Sequence, residues 1–146
     1  MAIKEEEIAD KIVSILETDV SELNYVAFDK IRTAIGDFRD HELPAVQVWD
    51  VAQVAEHVRG RIQVTWSLSA EIINRSQQEG EVNQKGIWTL RHTIQKALWD
   101  VPNLGIPGVI HLRYTGNITD LHMVEPNYIS RLDFDVLFYD DLTGSC

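Results

Sequence analysis

From Arg61 to Ile72 the chain alternates strictly, with Ile62, Val64, Trp66, Leu68, Ala70 and Ile72 on one parity and Gln63, Thr65, Ser67, Ser69 and Glu71 on the other. Successive side chains of a strand point to opposite faces of a sheet, so this period predicts a strand with one buried and one polar face. Its length is well beyond the usual five or so residues, so the sheet is expected to project past a compact core or to carry a broad surface. A second alternation runs from Ile129 to Tyr139, where Leu132, Phe134, Val136 and Phe138 interleave with Arg131, Asp133, Asp135 and Leu137. A third strand starts at Leu43-Pro44-Ala45-Val46-Gln47-Val48-Trp49, because the proline keeps Leu43 out of helical space and Val46 and Val48 flank Gln47. Between that strand and the long one, Val51, Val54 and Val58 recur at three- and four-residue spacing. A short helical turn and the flared arm of a hairpin both fit this segment. Gly60 supplies the turn, so Ala45 to Trp49 and Arg61 to Ile72 are expected to pair as antiparallel strands.

Two stretches carry the helical period instead. Ile8, Ile12, Ile15 and Leu16 form one stripe between Ile3 and about Thr18, with Glu5, Glu6 and Glu7 in the first turn, where the helix dipole favours anions. From Val82 or Asn83 to Trp99, Ile87, Leu90, Ile94, Ala97 and Leu98 form another, which Trp88 and Trp99 widen and Pro102 stops. A short strand is expected near Tyr25 to Phe28 and an extended segment from Val109 to Thr115. The fold class is therefore α+β: a mostly antiparallel sheet of about four to five strands with two main helices packed on one face. The polar run from Asn74 to about Val82 reads as a mobile loop and the C-terminus as frayed. No internal repeat or low-complexity tract appears.

With 146 residues the chain suits a single domain spanning residues 1–146. No run reaches the roughly 18 apolar residues that would span a bilayer, and the opening M-A-I-K-E-E-E is too acidic for a signal peptide, which predicts a soluble cytosolic product with no membrane partner. The one cysteine, Cys146, closes no disulfide within the chain. Thirteen basic against 23 acidic residues leave a net charge of −10, the wrong sign for gripping nucleic acid by its phosphates. Like charge does suit a passage through which DNA slides without sticking, and solubility alone explains the balance equally well.

Candidate chemistry is sparse. Asp133 and Asp135 share a strand face, yet no histidine or second acidic motif stands beside them in sequence, and alternating acids on a sheet face are commonly solvated. The histidines, at 41, 57, 92, 111 and 122, show no H-x-x-x-H or H-E-x-x-H spacing, so no metal site is expected. There is no G-x-S-x-G elbow, no phosphate-binding glycine loop and no dinucleotide turn, so neither a catalytic residue nor a cofactor is expected. Asn74-Arg75-Ser76 and Asn117-Ile118-Thr119 match the glycosylation triplet, which carries little weight in a chain read as cytosolic. Of the four tryptophans, Trp66 and Trp88 read as core, whereas Trp49, beside Asp50 at a strand end, is best placed to anchor a partner.

An N-terminal amphipathic helix, L-P-A-V-Q-V-W, a hairpin into R-I-Q-V-T-W-S-L-S-A-E-I, the helix G-I-W-T-L-R-H-T-I-Q-K-A-L and a closing strand R-L-D-F-D-V-L-F-Y together resemble the tail terminator and tail-completion proteins of tailed bacteriophages. The resemblance lies in the order of elements over most of the chain. It implies a non-enzymatic virion protein, assembled in the host cytoplasm, that forms a homo-oligomeric ring, usually of six copies. Such a ring caps the head-proximal end of the tail tube, stops its polymerisation and meets the neck or connector proteins. DNA passes through it without tight binding. On that reading Asp133, Asp135 and Glu71 face the channel. Trp49, Asp50, Gln63, Thr65, Ser67 and Ser69 serve subunit or partner contacts, since a closing ring needs two different patches per copy. The alternatives are another neck, connector or tube component, or a small α+β enzyme whose site is assembled from distant residues.

Overall fold

A computed structural model describes residues 3–28, 42–75, 84–119 and 127–140. Helix α1 spans Lys4–Asp19 and buries Ile8, Ile12, Ile15 and Leu16, each worth about 1.5–3 kcal/mol over an exposed position. Glu5, Glu6 and Glu7 occupy its first turn, as the dipole favours. Strand β1, Tyr25–Ala27, runs parallel to the start of β2, Ala45–Val58, over just three residue pairs. Asn24 ties the beginnings of these strands together: its backbone N–H donates to the Pro44 carbonyl and its Nδ2 to the Leu43 carbonyl, both at 2.8 Å.

β2 turns directly into β3, Arg61–Arg75, through Arg59 and Gly60 at φ 52° and 80°. Positive φ at both central residues is the two-residue turn whose twist matches a hairpin. The segment from Asp50 to Val58 is thus the arm of a hairpin and not a helical turn. Gly60→Ala is expected to destabilise by about 1 kcal/mol, because the left-handed backbone penalises a Cβ even though nothing lies within 4 Å of it. Arg59→Asn is expected to shift stability the other way, since asparagine tolerates that conformation better than arginine. Urea midpoints of the two variants check the signs.

Helix α2, Gln84–Trp99, is followed by a 3-10 turn over Pro102–Gly105, then by β4, Val109–Thr119, and β5, Asn127–Asp140. The sheet order is β1-β2-β3-β5-β4, antiparallel except for β1 with β2. Both helices lie on one face: α2 packs against β5 and β3, and α1 against α2 and β1. Lys4 pins the start of α1 beneath the sheet by donating to the Pro107 carbonyl at 2.8 Å. The expected α+β architecture is the observed one.

The core lies between the helices and the apolar parity of the strands, with Val64, Trp66, Leu68, Ala70 and Ile72 of β3 facing Leu132, Phe134, Val136 and Phe138 of β5. Trp66 is buried, and its indole Nε1 donates to Asp50 Oδ1 at 2.8 Å. Trp88, read as core from the sequence, is 44% exposed. It sits two residues before Leu90, about 200° around the helix at 100° per residue, so it points away from the stripe of Leu90, Ile94 and Leu98. Trp99 is half-buried and meets Phe134 edge-on, with ring centroids 5.8 Å apart.

Of the loop expected near 74–82, Asn74 and Arg75 belong to β3 and the remainder lies outside the described residues. The C-terminal stretch with Cys146, the segment 29–41 and the irregular stretch 120–126 lie outside them as well.

Candidate functional site: an ion-paired sheet face

Residues opposed across an antiparallel ladder share a face. The register sets Ser69 opposite Asp133, Ser67 opposite Asp135 and Glu71 opposite Arg131 across β3 and β5, and Arg113 opposite Asp135 across β4 and β5. All of these stand on the face away from the helices. Two rungs result. Ser67 Oγ donates to Asp135 Oδ1 at 2.8 Å while Arg113 Nη2 donates to Asp135 Oδ2 at 2.6 Å. Ser69 Oγ donates to Asp133 Oδ1 at 2.6 Å, and Arg131 reaches both oxygens of Asp133 through Nε at 3.0 Å and Nη2 at 3.3 Å. Each carboxylate thereby receives one hydroxyl and one guanidinium, a charge-assisted arrangement that fixes three strands in register.

This face is less exposed than its polar composition predicts. Gln47, Ser69, Glu71 and Asp135 are all buried, and Gln47 Nε2 donates to Glu71 Oε1 at 3.4 Å. A small apolar cluster of Leu43, Ala45 and Ile73, with Tyr25 against it, occupies the foot of the same face. The expectation of solvated acids is corrected for Asp135, and Glu71 on the same face is buried as well: of the three, only Asp133, with 27% of its side chain accessible, reaches solvent appreciably. Three carboxylates against two guanidiniums leave this cluster near neutrality. The excess negative charge lies elsewhere. Between Lys4 and Glu22, seven acids against two lysines give −5, half of the chain's −10, on and just after α1.

The residues singled out from the sequence divide between the two faces. Trp49, opposite Ser69, joins Ser67, Ser69, Asp133 and Asp135 around a groove of about 420 Å³, which Thr115 and Arg131 also line. Gln63 and Thr65 share that face nearer the hairpin tip, half-buried and opposite Tyr139 and Leu137. Asp50 does not join them, because it opposes Leu68 and so turns to the helix side. The serine hydroxyls act as donors to carboxylates that arginine already holds, and that arrangement does not activate a nucleophile. Among the described residues no group of three or more His, Cys, Asp or Glu is placed to hold a metal ion, and no helix is long and apolar enough to cross a membrane.

Arg113 and Arg131 complete the ion-paired face, and neither stands out as a site residue in the sequence. Arg131 was accessible to sequence reading, lying two residues before Asp133 on the same strand parity. Arg113 was not, because its pairing depends on the β4–β5 register and on two bulges, at Ile110 and Thr115.

β2 carries a bulge of its own. The ladder shifts between Asp50 and Ala52, leaving Val51 unpaired and reversing the parity of everything after it. Before the bulge Val46 and Val48 face the helices; after it Gln53, Ala55 and His57 do, while Ala52, Val54 and Glu56 move to the paired-acid face. From Asp50 to His57 every residue is exposed, on both faces. The molecule is thus a two-helix, five-stranded α+β protein with a polar, ion-paired sheet face and an edge strand, β2, whose outer half is exposed on both faces. A scan of protein-family models finds no match for this chain, and a search of curated proteins finds none either.

Proposed function

We propose that this chain is a structural virion protein, a tail terminator or tail-completion protein that forms a ring at the head-proximal end of a bacteriophage tail. The ring ends tube polymerisation and joins tail to neck while leaving a channel for DNA. The observation that carries the reading is the outer half of β2: eight consecutive residues exposed on both faces, with Val51 and Val54 at 55% and 67% exposure. A strand that buries neither face contributes little to its own subunit's core, and apolar side chains held out on it favour a contact with another molecule. The order of elements supports the same reading. In this ring Asp133, with Glu71 and Asp135 behind it, is the carboxylate nearest the lumen, and the arm with Trp49 serves contacts between copies or with tube and neck proteins.

Particles made without this protein are expected to carry tails of uncontrolled length or tails unattached to heads when viewed by electron microscopy. Normal tails would overturn the proposal. Native mass measurement separates it from the nearest alternative: a terminator gives one discrete ring, whereas a tube subunit gives stacks of increasing length.

A further inference from the structure

Six large hydrophobic residues are exposed among the described residues, and four of them, Val51, Val54, Ile110 and Tyr114, lie on β2 and β4. These strands flank opposite sides of the sheet. β4 is the outermost strand beyond β5, and on the other side β1 covers β2 only from Ala45 to Gln47. Among the described residues the outer edge of β2 from Asp50 to Val58 and the outer edge of β4 therefore have no strand beside them. Such edges carry a row of backbone donors and acceptors ready for another strand.

We infer that the β2 arm of one copy pairs edge to edge with β4 of the next, so that the sheet continues from subunit to subunit; this rests on the ring reading above. Three features select this pairing. Direction is the first: β2, β3, β5 and β4 alternate, so β2 and β4 run oppositely, and setting β2 of one copy beside β4 of another extends an antiparallel ladder without a break. Charge is the second. Glu56 stands on the same sheet face as His111 and Arg113, so the joint sets acid beside base, whereas two β2 arms paired about Glu56 would set that carboxylate against its own copy. Shape is the third. Bulges at Val51 in β2 and at Ile110 and Thr115 in β4 bend both edges, which opposes flat, indefinite stacking and suits a curved wall. Using two different edges makes the contact heterologous, the kind that closes into a ring.

Cysteine pairing tests the joint. In a Cys146→Ser background, Val54→Cys with His111→Cys and Glu56→Cys with His111→Cys sample neighbouring registers on one face. Under mild oxidation at least one pair is expected to give a ladder of covalent oligomers that collapses on reduction, while each single-cysteine variant gives at most dimers. Val54→Lys, on an exposed site, is expected to shift the native mass toward monomer without lowering the urea midpoint measured at a dilution where both proteins are monomeric. A discrete ring in the unmodified protein with no ladder from either pair would overturn the edge joint and leave the ring standing. Single-cysteine Val54→Cys dimers as abundant as the double variant's products would replace it with an arm-to-arm contact. A protein monomeric at every concentration would overturn both the joint and the ring.

Discussion

Phe134→Ala is expected to lower the unfolding free energy by about 3–5 kcal/mol, the range for removing a fully buried aromatic ring. Phe134 has no accessible surface and opposes Leu68 of β3 on one side and Tyr114 of β4 on the other. Its ring also receives the edge of Trp99 from α2, so one side chain joins three strands to a helix. The cavity left behind would be walled by strands held in a ladder, which limits collapse and places the loss toward the upper part of the range. Urea denaturation followed by tryptophan fluorescence measures it, and an unchanged denaturant slope would show that the mutation acts on stability and not on the unfolded ensemble. Tyr114→Ala supplies the comparison. That residue sits directly opposite on the edge strand at 42% exposure, so its loss is expected to stay below about 1 kcal/mol. Equal losses at the two positions would mean that the core is not centred on β5.

The contrast between these neighbours shows what the sequence reveals and what it withholds. Phe134 and its companions Leu132, Val136 and Phe138 are legible because a uniform period of two survives in a strand with pairing on both sides. The helices are legible for the matching reason, a 3.6-residue stripe in each, the second ending at Trp99 shortly before Pro102. β2 is legible only as far as Trp49. Beyond it one unpaired residue, Val51, reverses the alternation, so Val51, Val54 and Val58 mimic a helical spacing although the backbone stays extended. A bulge is a property of two strands paired together, and one strand's sequence does not display it. The same limit hides Arg113. The serine and aspartate parities were readable, and so was their common face, but which cation meets which carboxylate is decided by register between strands distant in sequence. Burial of Glu71 and Asp135 was hidden too, because alternation tells which face a side chain joins and not how deeply that face is covered.

Arg113→Met is expected to destabilise by about 2 kcal/mol, and more than Asp135→Asn, which should cost about 1 kcal/mol. The asymmetry follows from exposure. The Arg113 side chain is 55% accessible and can turn to water if its partner is lost, whereas the Asp135 side chain is 9% accessible and stays behind as a carboxylate served by Ser67 alone. Asparagine at 135 keeps the shape and an oxygen for the serine hydroxyl, so it forfeits mainly the charge. The double variant Arg113→Met with Asp135→Asn leaves no stranded ion and is expected to recover about 1 kcal/mol relative to the sum of the single changes. Denaturation of the four proteins closes the cycle. Salt gives a second check, because a contact of 2.6 Å on a largely buried carboxylate is screened much less than a pair between two exposed ions. A coupling near zero would mean that the ladder alone fixes β4 against β5 and that the arginine is incidental. A coupling of the expected size makes the pair part of what sets the β4 edge in place. That edge is the one proposed to receive the arm of a neighbouring copy, so Arg113→Met should then also shift the native mass toward monomer.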